Sequence, residues 1–269
     1  MNSEQLVPFL KWAGGKRWLV ASRPDLFRFY EERYIEPFLG SGAVYFHIRP
    51  QRAILSDVNG DLIATYSAIR DKYEAVECAL LEHAVSHSAD YYYETRSRAP
   101  FDDVEKAARF IYLNRTCWNG LYRVNRNGDF NVPIGTKTTV LMDADAFGSA
   151  SSLLTGAKIE RGDFEATIKR ASEDDFLFVD PPYTVKHNHN GFIKYNENLF
   201  SWEDQVRLRD ALVRADRRGA RILMTNADHD SIRELYAGIF RQESVVRSSV
   251  LAGRASARGK VTELLVRNW

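Results

Sequence analysis

Cysteine is almost missing from this 269-residue chain, which has only Cys78 and Cys117. Two such thiols imply no disulfide framework, so a reducing, cytoplasmic setting is expected. No apolar run approaches the roughly 18 residues that would cross a bilayer. Residues 1–16 lack the basic start and apolar stretch of a secretory leader. Net charge is nearly absent too: 37 Lys and Arg against 36 Asp and Glu leave +1. No global basic field announces a nucleic acid, so any such partner must be met by local clusters. No internal repeat or low-complexity linker divides the chain.

What is present suits a soluble globular protein, with 45% hydrophobic and 27% charged residues. Short apolar runs alternate with amphipathic stretches, which predicts an α/β fold with a mostly parallel sheet. Tyr34 to Phe38 reads as a strand ending in a glycine turn, and Ala53 to Ser56 as the next strand, ending at Asp57. Phe176 to Val179 is a continuous apolar run, as a buried central strand requires. Arg221 to Thr225 is another. Ser201 with Asp204 three residues on marks a helix start. From about Thr65 to Ala150 the pattern changes, first helical and then rich in Asn, Gly and Arg. We read 65–150 as an insertion into an α/β core formed by 1–64 and 151–269.

Two glycine-bearing segments suit a nucleoside ligand. In Phe38-Leu39-Gly40-Ser41-Gly42, Gly40 and Gly42 let the backbone turn tightly and approach a ligand. Asp57, at the end of the next strand, is placed to accept hydrogen bonds from ribose hydroxyls. Phe9 to Lys16 combines Trp12, Ala13, paired glycines including Gly14, and Lys11 and Lys16, a set suited to an anionic carboxylate. Asp163, after the short strand Lys158 to Glu160, is suited to an adenine amino group, with Phe164 packing on the ring. A Gly-x-Gly or a lone Asp taken singly is equally an ordinary turn or strand end.

Asp180-Pro181-Pro182-Tyr183 follows the apolar strand directly, where open α/β sheets bind ligands. Its two prolines fix φ and remove two N–H donors. Methylation of an aromatic amine needs acceptors on both N–H bonds, because the nitrogen lone pair is delocalised into the ring. The Asp180 carboxylate and the Pro181 carbonyl supply them, stabilising charge that develops on nitrogen. Tyr183 is suited to stack on a base turned out of its helix.

Between residues 109 and 137 stand five cations, Arg109, Arg115, Arg123, Arg126 and Lys137, against one acid, Asp129. Asn125 to Asp129 is a hairpin turn signal between Leu121-Tyr122 and Phe130 to Val132. Arg123 has the fork that pairs with guanine, while Asn119 and Asn125 have the amide that pairs with adenine. Arg115, Arg126 and Lys137 suit phosphates, and Trp118 suits packing or wedging. Arg254, Arg258 and Lys260 form a further basic loop. Lys186 to Gly191 is placed to close over a base. His187 and His189 there have no third metal ligand, so no metal is expected.

With these motifs in this order, the chain resembles the Dam-type DNA adenine methyltransferases, the alpha group of amino methyltransferases, over nearly its whole length. The resemblance implies a Rossmann-like S-adenosylmethionine-dependent methyltransferase sheet with an inserted, mainly helical target-recognition domain carrying a β-hairpin. It implies that Trp12, Lys16, Asp57 and Asp180 line the S-adenosylmethionine site and that Phe9 to Lys16 is the methionine-binding motif. It makes Asn114 to Arg123 with Phe130 to Gly135 the recognition hairpin, which contains Leu121. Arg123 and Pro133 match positions that belong to GATC reading. The implied partner is double-stranded DNA, met as a monomer or weak dimer by a bacterial, archaeal or phage-encoded enzyme. N4-cytosine methylation and a non-catalytic DNA-binding relative are the alternatives.

Overall fold

The computed structural model describes residues 6–28, 33–125, 128–185, 200–248 and 260–269. Its strands are β1 (Arg33–Glu36), β2 (Ala53–Asp57), β3 (Ala157–Arg161), β4 (Asp175–Val179), β5 (Arg221–Ala227), β6 (Arg241–Ser248) and β7 (Lys260–Arg267). Its α-helices are α1 (Arg17–Ser22), α2 (Ala43–Ile48), α3 (Gly60–Ser86), α4 (Ala89–Ser97), α5 (Asp103–Thr116), α6 (Phe147–Leu154), α7 (Phe164–Ile168), α8 (Trp202–Arg217) and α9 (Asp230–Leu235). The strands form one sheet in the order β3-β2-β1-β4-β5-β7-β6. Strands β2, β1, β4 and β5 pair in parallel, and β7 is antiparallel to both β5 and β6. This is a mixed, mostly parallel α/β sheet, the fold class expected from the sequence.

The chain divides into two compact units. The second comprises residues 29–38, 52–56 and 162–269. Its core explains the central strand: every residue of β4 is buried, because β1 and β5 flank it and apolar side chains cover both faces. Ile35, Ile54, Leu177 and Val179 pack with Leu208, Leu212 and Ala215 of α8. Helix α8 begins at a capping box, in which Ser201 accepts from the Asp204 N–H and the Asp204 side chain accepts from the Ser201 N–H.

The first unit comprises residues 1–28, 39–51 and 57–161. Residues 65–150, read from sequence as an insertion into an α/β core, lie in this unit together with the N-terminal segment and the glycine loop. Helix α3 packs along α5. It starts at Asn59, whose side chain accepts from the Asp61 and Leu62 N–H groups. Helix α5 starts at Asp102, which accepts from the Glu105 N–H at 2.8 Å. Its last seven residues, Phe110 to Thr116, are all buried.

The segment after α5 doubles back as a thin antiparallel arm. At its base the Gly135 N–H donates to the Thr116 carbonyl (2.7 Å) and the Trp118 N–H to the Pro133 carbonyl (2.9 Å). Near its tip the Asn131 N–H donates to the Arg123 carbonyl (3.1 Å) and the Asn125 N–H to the Asp129 carbonyl (2.8 Å). Among the described residues the pairing is by isolated antiparallel bridges, Cys117 with Ile134 and Val124 with Phe130. Gly135 is required at the base: a Cβ there would lie 2.5 Å from the Cys117 carbonyl oxygen.

Candidate functional site

In the first unit, the segment before α1 and the glycine loop are built around Trp12. Its ring stacks with Tyr122 (centroids 5.3 Å apart, 23° between planes) and Phe110 (6.3 Å, 24°). Gly40 lies under the same ring at φ +47°, and a Cβ on it would stand 2.8 Å from Trp12 Cδ1. Gly42, at φ +61°, is the N-cap of α2. Gly14 turns at φ +80° and its carbonyl accepts from the buried Lys16 ammonium at 2.5 Å. Ala13 beside it is exposed. The Asp57 carboxylate accepts from the Gly40 N–H (3.2 Å) and the Asn59 N–H (2.9 Å). Burial pushes the Asp57 carboxyl above the usual range, and the N–H donors of Asn59, Gly40 and Val58 act against that shift. Trp12, Gly40 and Asp57 are thus brought together within one unit.

Asn114 was not singled out by sequence, yet it fixes this arrangement. Its amide accepts from the Lys11 N–H and donates to the Lys11 carbonyl, both at 2.8 Å. The pair copies a β-ladder contact and ties the Trp12 segment to the end of α5. Burial, and next the charge of Lys137, push the Lys11 ammonium below its ordinary value.

In the arm, Trp118 is half-exposed, and Asn119, at φ +56°, Arg123, Asn125, Pro133 and Lys137 are exposed, with Leu121 partly so. Arg123 Nε donates to Asn131 Oδ1 at 2.8 Å. Asn125 donates to Asp129 Oδ2 and accepts its N–H, so the amide expected to read adenine closes the turn. Arg115 corrects the sequence expectation. Its side chain is buried, paired to Asp145 at 2.6 Å through two parallel bonds, and it donates to the Phe9 and Val140 carbonyls. A guanidinium so enclosed holds the base of the arm and presents nothing to a phosphate. Arg126, Lys186 to Gly191 with His187 and His189, Arg254, Arg258 and the side chain of Lys260 lie outside the described residues.

In the second unit, Asp180 follows β4 and one of its carboxylate oxygens accepts from the Thr225 hydroxyl at 2.7 Å. Pro181 is buried and Pro182 partly exposed. The Tyr183 hydroxyl donates to Glu263 on β7 at 2.7 Å, and Glu263 is also paired to Arg247 of β6. Burial, then the nearby charges of Asp180 and Glu263, hold the Tyr183 phenol well above its ordinary value. Asp163 caps α7, accepting from the Glu165 N–H at 2.9 Å, and pairs with Arg207 at 3.0 Å. Phe164 is buried in the core, where it packs with Phe38, Phe200 and the Arg207 guanidinium. That burial corrects the expectation that Phe164 packs on an adenine; the member of the pair with some exposed surface is Phe38.

The family model described as D12 class N6 adenine-specific DNA methyltransferase matches residues 12–250. The chain belongs to that family. It is therefore an adenine-specific DNA methyltransferase, and its Asp180 to Tyr183 segment directly follows β4. Among its relatives is a protein named type II methyltransferase M1.LlaDCHI of Lactococcus lactis subsp. cremoris, 36% identical over 277 residues, covering 100% of this chain and 97% of that one. Proteins named DNA adenine methylase from Escherichia coli (strain K12) and Haemophilus influenzae are each 33% identical, covering 96% of this chain and 93% and 92% of theirs. Sequence reasoning missed Thr225 and Glu263 in this adenine methyltransferase. Thr225 had one usable signal: it lies on the strand paired with β4, one step beyond the Val179 to Met224 register.

Proposed function

We propose that this enzyme transfers a methyl group from S-adenosylmethionine to adenine N6 within GATC in duplex DNA, acting on a base flipped out of the helix. The observation that carries the reading is the braced tetrapeptide, with Asp180 held by Thr225 and Tyr183 held by Glu263. The cofactor-facing residues fit the donor. Asp57 is an acceptor suited to ribose hydroxyls, the Gly14 turn with buried Lys16 suits a carboxylate, and Gly40 keeps Trp12 free of a Cβ clash. S-adenosylmethionine, when bound, supplies an electrophilic sulfonium methyl.

The chain's own residues do the rest. The Asp180 carboxylate and the Pro181 carbonyl accept the two amino N–H bonds, localising the nitrogen lone pair. Tyr183 stacks on the flipped base. In the arm, Arg123 reads guanine, with Trp118, Asn119, Leu121, Asn125 and Pro133 alongside, and Lys137 contacts phosphate. The enzyme works on DNA as a monomer or weak dimer.

The test is transfer of labelled methyl to a GATC duplex and to a base-permuted duplex, with nucleosides identified by mass spectrometry. N6-methyladenine should form on the first only, and Asp180→Ala should abolish it with the fold retained. Equal methylation of both duplexes rejects the target. Normal transfer by Asp180→Ala rejects the mechanism.

A further inference from the structure

Glu263 is an acid in the middle of a strand, and the established activity gives it no task. It is buried to 1% exposure on β7, directly opposite Ala227 of β5 and Val245 of β6. Burial of a carboxylate is costly unless it is paired and hydrogen-bonded. Both conditions are met, and one of the two partners belongs to the tetrapeptide. One oxygen accepts from Arg247, the diagonal neighbour on β6, and the other accepts the Tyr183 hydroxyl at 2.7 Å. The rest of the turn is anchored in the same way. Thr184 donates to the Phe200 carbonyl at 2.7 Å, and the Thr184 carbonyl accepts from Gln205, which in turn takes a bond from Asn226 at 3.1 Å.

We propose that Glu263 is a positioning residue of methyl transfer: clamped by Arg247, it latches the Tyr183 hydroxyl and thereby sets the plane of the ring that meets the flipped base. The proposal rests on the reading of Tyr183 as the base-stacking side chain. A carboxylate suits the task because it only accepts, so in this bond the phenol must be the donor. The charge-assisted bond is also the stronger kind.

The experiment compares Tyr183→Phe, Glu263→Gln, the double variant and Tyr183→Ala. It measures single-turnover rate, KM for DNA and the fluorescence of 2-aminopurine at the target position. Tyr183→Phe keeps the ring and loses the latch; its rate should fall about tenfold, the worth of one such bond, with KM changed much less. Glu263→Gln should fall similarly. In the double variant the second change should add less than about twofold, because both act through one contact. The 2-aminopurine signal should change in both single variants.

Multiplied losses in the double variant, or a wild-type rate in Tyr183→Phe, overturn the latch. If Glu263→Gln does not fold, the rate of Tyr183→Phe decides alone. Tyr183→Ala separates the two ideas. If it is fully active, the stacking reading fails; if it is inactive while Tyr183→Phe is normal, only the latch fails.

Discussion

The Thr225 hydroxyl of β5 donates at 2.7 Å to the carboxylate of Asp180, the residue that follows the neighbouring parallel strand β4. One oxygen of the tetrapeptide acid is therefore oriented by the sheet itself. Thr225→Val keeps the shape and removes the donor. The turnover rate should fall about tenfold to a hundredfold, as expected for a lost hydrogen bond to a charged group. DNA affinity should hardly move. Rapid-quench kinetics measure it, and an unchanged rate would show that Asp180 is oriented without Thr225.

Gly40 supports a second prediction. At φ +47°, with Trp12 Cδ1 at 2.8 Å from any Cβ, alanine must displace the indole. The Trp12 stack on Tyr122 and Phe110 then shifts. Gly40→Ala should weaken S-adenosylmethionine binding at least about tenfold and cost about 1–3 kcal/mol of stability. Calorimetric titration reads the first and thermal unfolding the second. Unaltered cofactor affinity would contradict the placement of Trp12 in that site.

The amino-acid order revealed most where a local pattern fixes the outcome. The apolar run Phe176 to Val179 became the buried β4, the Ser201 and Asp204 spacing became a capping box, and the Gly40 and Asp57 pair came together. Register and burial were less legible. Glu263 meets Tyr183 only because β7 pairs between β5 and β6, a fact with no local signature. Arg115 looks like a surface charge until the last turn of α5 is seen to be enclosed all round.

Arg115→Met follows from that enclosure. It leaves Asp145 and the Phe9 and Val140 carbonyls without their donor. Removing one partner of a buried pair costs about 3–5 kcal/mol. Chemical denaturation should show this loss, whereas Lys137→Met should leave stability unchanged and weaken DNA binding. A stable Arg115→Met with weakened DNA binding would restore a phosphate role to Arg115.

His83 makes the fold sensitive to acid. It is buried, stacks on Tyr112 (4.6 Å, 10°) and bonds Tyr91 at 2.8 Å through Nδ1. Burial, then the charges of Arg98 and Arg109, push it down to about 4, with Glu105 opposing. An unfolded chain takes up the proton near its ordinary value of about 6.5, while the folded chain does not. Stability should therefore be level above that value and fall as pH drops toward about 4. Urea midpoints across this window test it; His83→Phe should flatten the slope, and an identical slope in that variant would assign it to other groups.

Arg115, sealed against Asp145, is as hidden from dissolved ions as from DNA. Arg109 is half-buried, with its guanidinium on the Thr95 and Arg96 carbonyls. Neither displaces condensed counterions when the enzyme meets a duplex. The logarithm of DNA affinity should therefore fall with the logarithm of salt concentration on a slope shallower by roughly 2 than five cations between residues 109 and 137 would give. This methyltransferase would then keep more of its grip on DNA as ionic strength rises than its charge count suggests.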